Sequence, residues 1–123
     1  MGIKTEYKTV KPYITKDGSI IRELIHPNVH GNQNLSLAEA IVPPKGSTFL
    51  HKHNLSEEIY YILEGKGLMS LGDKKFNVKK GDSVCIPPTT PHQIRNIGEI
   101  PLKILCCCSS AHSHDDTELL KEE

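Results

Sequence analysis

The chain has 123 residues, 37% of them hydrophobic and 24% charged, which is the make-up of one globular domain able to bury a core without disulfides or structural metal. Fifteen Lys plus Arg offset fifteen Asp plus Glu. With a formal net charge of zero and no basic stripe, nucleic acid is excluded as the main partner.

No apolar stretch approaches the roughly 20 residues that span a bilayer, so no membrane role is expected. The opening Met1-Gly2-Ile3-Lys4-Thr5-Glu6 lacks the apolar core of a secretory signal. It also lacks the Ser or Thr of a myristoylation motif at the sixth position. A cytoplasmic location is expected.

Short apolar segments cut by Gly and Pro give an all-β pattern. In chain order the expected strands are Ile20–Ile25, Ser36–Val42, Thr48–His53, Glu58–Glu64, Gly67–Leu71, Lys75–Lys79, Ser83–Ile86, His92–Asn96 and Leu102–Cys108. Turns fall at Pro43–Gly46, Glu64–Gly67, Leu71–Asp73, Lys80–Asp82 and Pro87-Pro88, with Gly72-Asp73 as a hairpin signal. Only the tail reads as helical, with Ser113 or Asp115 capping Asp116–Lys121. The single domain over 1–123 then has N-terminal strands in 5–35, a core barrel at about 36–108 and a tail over 109–123. Eight or nine short strands suit a sandwich or barrel, because closure removes exposed edges.

The cysteines are Cys85 and the run Cys106-Cys107-Cys108. Neighbours on a strand point to opposite faces, so the run reads as small buried hydrophobes in a reducing compartment. A soft-metal thiolate site is disfavoured, since the run lacks spaced cysteine pairs.

Chemistry concentrates on His51-Lys52-His53. Residues two apart on a strand share a face, which puts two imidazoles about 6–7 Å apart and able to converge on one ion. Glu58 follows on the next strand, which a short turn brings alongside, and it shares its face with Tyr60 and Ile62. His92 heads a later strand after Pro91. Three histidines and one carboxylate suit a divalent transition metal such as Zn, Mn, Fe, Ni, Co or Cu. Taken singly, each of the four is an ordinary turn or surface residue.

Together they resemble something specific. Gly46 followed by His51-x-His53-x4-Glu58-x6-Gly65 resembles the first cupin motif, and Gly81-x5-Pro87-x4-His92-x3-Asn96 resembles the second. The resemblance covers about Ser36 to Cys108 and departs from the pattern twice. One residue fewer separates Gly46 from His51, and Thr89 replaces a glycine two residues after Pro87. The resemblance implies a double-stranded β-helix, or jelly-roll barrel, with His51, His53, Glu58 and His92 as the metal ligands.

Ile21-Arg22-Glu23-Leu24, Ser36-Leu37-Ala38-Glu39-Ala40, Glu57-Glu58-Ile59-Tyr60-Tyr61, the cysteine run and Ser113–Leu119 are similar to one group of small single-domain cupins. That group includes proteins found alongside aromatic polyketide biosynthesis.

Four protein ligands on an octahedral ion leave two adjacent positions, where a small oxygen-rich molecule can chelate. Lewis-acid stabilisation of an enolate then supports isomerase or cyclase chemistry. An Fe(II) dioxygenase and a non-catalytic small-ligand or metal-binding module are the alternatives. The candidate proton-transfer residues are Tyr60, His26 and Glu23, and Gln33 or Gln93 can orient a substrate oxygen. His112 and His114 read as solvated residues or a helix cap, and Asn96 as a side chain that pins a turn. A homodimer is expected, with the strand region of about Thr5–Ile25 adding to a partner's sheet edge.

Overall fold

Alternation of buried and exposed side chains along most strands sorts the chain into two facing antiparallel sheets, seen in a computed structural model that describes residues 2–122. In chain order the elements are β1 (Tyr13–Ile14), β2 (Ile20–Ile25), α1 (Pro27–His30), β3 (Leu35–Val42), β4 (His51–His53), β5 (Glu57–Glu64) and β6 (Lys66–Leu71). They continue with β7 (Lys74–Lys79), β8 (Ser83–Ile86), β9 (His92–Asn96), β10 (Leu102–Ser109) and β11 (Thr117–Leu119). One sheet runs β1-β2-β3-β10-β5-β8 and the other β11-β4-β9-β6-β7. This is the expected all-β barrel.

The core lies between the sheets. Ile62, Met69, Ile86, Ile94, Leu102 and Ile104 are almost wholly buried there. Gly65, the glycine of the first motif, turns β5 into β6 at φ 95°. A Cβ at Gly65 would stand 3.0 Å from Leu102 Cα and Pro101 O, so both conformation and space require glycine. Gly72-Asp73 forms the expected hairpin between β6 and β7, with Gly72 at φ 61°. Among the described residues no helix is long and apolar enough to cross a membrane.

Four expectations are corrected. The tail forms no helix over Asp116–Lys121; it forms β11, paired with β4. A six-residue helix is marginal by itself, whereas here the Asp116 carboxylate accepts the backbone N–H groups of Asn54, Leu55 and Ser56 and lays the tail along the open edge of β4. The expected strand Thr48–His53 shortens to His51–His53, because Thr48 bonds Ile94 through both its N–H and its hydroxyl oxygen.

Next, β4 and β5 do not lie side by side but belong to opposite sheets and face each other across the interior. Finally, α1 was not expected, while β1 falls inside the expected N-terminal strand region of 5–35. In α1, His26 caps the first turn, Pro27 stands at its start and Gly31 closes it at φ 79°. Asn96 does pin a turn, donating to Val42 O and Ile100 O and accepting from Gly98 N–H.

Candidate metal centre

Three imidazoles come from one sheet. On β4, His51 and His53 flank the half-buried Lys52 and both point inward. On β9, His92 is the register partner of His51, and their ring centroids are 4.2 Å apart. One nitrogen from each of the three rings lies within 4.8 Å of the other two. Glu58 approaches from the opposite sheet, with Oε1 3.3 Å from His53 Nε2 and 3.6 Å from His92 Nε2.

Hydrogen bonds on the far side of each ring decide what these groups offer. His51 Nδ1 lies 2.7 Å from Phe49 O, and His92 Nδ1 lies 2.9 Å from Thr90 O. A carbonyl only accepts, so each Nδ1 carries the proton and each Nε2 presents a lone pair. His53 Nδ1 lies 3.2 Å from the Thr117 hydroxyl, which spends its own proton on Ser113 O at 2.9 Å. The hydroxyl therefore accepts from His53, fixing the same tautomer.

Three bare Nε2 atoms and a carboxylate oxygen converge with no donor among them. Glu58 Oε1 and His92 Nε2 are buried without a hydrogen-bond partner although they lie 3.6 Å apart. Acceptors arranged this way fit a cation, and the fixed Nδ1 bonds match the outer partners that orient ligating histidines.

The charges agree with this reading. Burial, and then the neighbouring His92, push His51 down to about 4, so it stays neutral near pH 7. Burial alone would raise Glu58; its carboxyl falls well below the usual range only where His53 and His92 turn protons toward it, and with their Nε2 atoms bare that stabilisation has to come from a cation. Burial, and then Glu58, push the Tyr60 phenol and the Cys106 and Cys108 thiols up, so all three remain protonated.

The inner cavity measures about 20 Å³, room for one ion or water. Two segments close its mouth. The turn before β2 brings Asp17 Oδ2 to 3.5 Å from His51 Nε2, held there by bonds from Ser19 N–H and Oγ to Asp17 Oδ1. The strap from 110 to 119 carries His112, whose N–H donates to Ser36 Oγ and whose ring lies 5.8 Å from that of His53. Outside lies a pocket of about 390 Å³ that shares Thr15 and His112 with the inner cavity.

The structure brings His51, His53, Glu58 and His92 together and puts Tyr60 on the cavity wall, its ring centroid 6.1 Å from that of His92. Glu23 and His26 line the outer pocket instead. His26 accepts the Asn28 N–H at Nδ1, so its proton is on Nε2 and is donated to His112 O at 2.6 Å. Both of its nitrogens are thereby committed to holding the strap. Gln93 points away from His92, to Thr48 O and Glu122, and Gln33 lines the outer surface near α1.

Asp17 and His112 are the site residues that sequence reasoning did not assign. His112 is half-buried rather than solvated, and its Nδ1 lies 3.6 Å from Glu23 Oε1. Burial would lower its pKa, but Glu23 outweighs burial and raises it. Burial likewise opposes the shift at Glu23, where His112 and Tyr13 bring the carboxyl down. No local signal marks either residue, since both act through contacts distant in sequence.

The fold is a two-sheet β-barrel, and its interior carries a buried cluster of three imidazoles and a carboxylate with the make-up of a metal site. The family described as a cupin domain matches residues 38–108, and the chain belongs to that family. An uncharacterized protein of Methanocaldococcus jannaschii is 66% identical over 119 residues, covering 97% of this chain and 95% of its own length. The oxalate-binding protein of Thermotoga maritima is 36% identical over 74 residues, 60% of this chain and 61% of that protein. Among solved structures, the polyketide cyclase RemF from Streptomyces resistomycificus aligns over 100% of this chain and 88% of its own, with TM-score 0.82 and 25% identity.

Proposed function

We propose that this cupin is a metal-dependent enzyme acting on a small oxygen-rich molecule by Lewis-acid chemistry of the isomerase or cyclase type. The observation that carries the reading is the convergence of buried acceptors without a donor: Nε2 of His51, His53 and His92 with Oε1 of Glu58. These four side chains are assigned as the ligands of one divalent transition metal. Such an ion acts as a Lewis acid toward a substrate oxygen. Likeness to a polyketide cyclase over the whole chain supports this chemistry.

The remaining residues take roles from their positions. Tyr60 stays protonated at the cavity wall and serves as a hydrogen-bond donor rather than a base. His112, paired with Glu23 at the boundary between the pockets, holds or moves a proton at its ring. His26 fixes the strap that keeps bulk water from the inner cavity. A second reading, a module that binds a small dicarboxylate without turnover, is favoured by the oxalate-binding relative.

The homodimer belongs to the same proposal. On the outer face of the six-stranded sheet, Ile59 stands in register with Cys85 and Cys107, and Cys107 with Leu37. Ile59, Tyr61 and Leu35 are exposed there, forming an apolar surface suited to a second copy. Light scattering should report twice the chain mass of 13.7 kDa.

Elemental analysis of protein purified without added metal, beside a His51→Ala/His92→Ala control, is the first test. About one ion per chain, lost in the control, is expected. Iron would redirect the search to oxygen-consuming reactions, while zinc or manganese leads to isomerase and cyclase substrates. Tight dicarboxylate binding without turnover would favour the binding module. A variant that loses its metal yet keeps full activity on an identified substrate defeats the enzymatic reading.

A further inference from the structure

We infer that the Cys108 thiol is a positioning residue that turns the Glu58 carboxylate so that a single oxygen faces the three imidazoles. The inference rests on the assignment of Glu58 as a metal ligand. Glu58 and Cys108 are direct register partners across β5 and β10, and both side chains point inward and are buried. Cys108 Sγ lies 3.3 Å from Glu58 Oε2 and donates to it. The other oxygen, Oε1, has no hydrogen-bond partner and faces His53 and His92.

The two oxygens of one carboxylate thus have different tasks. The terminal torsion of Glu is broad and roughly two-fold, so the carboxylate's orientation needs an external partner. An S–H bond to Oε2 occupies that oxygen and leaves Oε1 as the one directed at the cation.

Support for the thiol continues on the next strand. Ser36 on β3 is the register partner of Cys108 on β10 and is itself buried. Ser36 Oγ accepts the His112 N–H at 2.8 Å, so the strap is tied to the strand that flanks Cys108. The Cys108–Glu58 bond thus lies one strand away from the point where the strap is anchored.

Cys106 supplies the contrast. It lies two residues earlier on the same face and is also buried, but its thiol meets only a backbone carbonyl, Ile104 O, at 4.0 Å. That cysteine is a space-filling thiol.

The test titrates metal-free protein with cobalt(II), following affinity and the absorption spectrum, beside Cys108→Val, Cys108→Ser and Cys106→Ala. Valine removes the donor and is an apolar, somewhat larger side chain that suits a strand, and serine keeps a donor. Cys108→Val is expected to weaken cobalt binding about 10- to 100-fold, the range for outer partners of ligands. Cys108→Ser and Cys106→Ala should stay within about 3-fold of the wild type, below that range. Thermal melts of the metal-free variants check folding, and Cys108→Ala replaces the valine variant if that one does not fold.

Equal affinity in wild type and Cys108→Val overturns the inference, as does a Cys108→Ser loss as large as that of valine. A thiolate-to-cobalt charge-transfer band that disappears in Cys108→Val also overturns it, since the sulfur would then be a ligand itself. Wild-type protein that binds no cobalt overturns the metal assignment, and the positioning role falls with it.

Discussion

The strands β4, β5 and β9 and the strap from 110 to 119 serve the same centre by different means. The strands supply donor atoms: alternation places His51, His53, Glu58 and His92 on inward faces, wherever those strands are placed. The strap supplies orientation, with Thr117 on His53 Nδ1, the His112 N–H on Ser36, and Asp116 on three backbone N–H groups. Donor identity is thus set by strand periodicity. Donor direction is set for His51 and His92 by carbonyls two residues away, and for His53 by a segment more than fifty residues away along the chain.

Removing a donor tests the first half of this contrast and should have the largest effect. His92→Ala is expected to weaken metal binding by more than about 100-fold, beyond the range of outer partners, as read by calorimetric titration. An affinity close to wild type would remove His92 from the ligand set.

Loss of a strap contact comes next. Thr117→Val keeps the shape of β11 but removes the acceptor for His53 Nδ1–H, freeing the imidazole to change tautomer. Metal affinity should fall about 10-fold, together with a modest loss of stability from the His53 Nδ1–H and Ser113 O left unpaired. A fall in stability with no change in affinity would make the strap a structural brace alone.

Asp116→Ala has the reverse signature. Losing the carboxylate acceptor for Asn54, Leu55 and Ser56 N–H should cost about 2 kcal/mol of stability, measured by urea denaturation of metal-free protein.

Two smaller effects refine the picture. Thr89, where the second motif ordinarily has glycine, sits at φ 66° on an exposed turn. Thr89→Gly should relieve that left-handed strain and gain about 0.5 kcal/mol after the entropic cost of glycine. No gain in the melting temperature would show that the turn tolerates threonine without strain.

The Glu23–His112 pair should make stability depend on pH. Glu23 is shifted below 4.5, so its contribution is complete above that value and fades as pH falls through the lowered pKa. His112 is shifted above 6.5, so its contribution is complete below that value and fades as pH rises through the raised pKa. In metal-free protein the melting-temperature advantage over Glu23→Gln should be widest between pH 4.5 and 6.5. A difference that stays flat with pH would mean the pair does not interact.

Legibility followed the range of the interactions. Segments such as Glu57–Glu64 and His92–Asn96 were readable because inward and outward residues alternate locally. Gly65 and Gly72-Asp73 were readable because a turn needing positive φ selects its own residue. In the tail, Ser113–Lys121 carries helix-capping residues, and the strand form prevails only because β4 has an open edge beside it. Asp17 lies in a turn whose sequence says nothing of His51, and Cys108 was legible as a buried thiol but not as the partner of Glu58.

From the sequence alone came the all-β class, the inward row of three histidines and a glutamate, and the two motifs that resemble a cupin. Those follow from the two-residue period of a strand and from turn chemistry, both local. Only the tertiary structure decided that Glu58 approaches from the opposite sheet and that the Nε2 lone pairs face inward. It also decided that a strap closes the mouth and that the outer pocket meets the inner one at Thr15 and His112. Those features depend on strand pairing and on hydrogen bonds, some to carbonyls two residues away and others across the chain, and no periodicity along the chain encodes them.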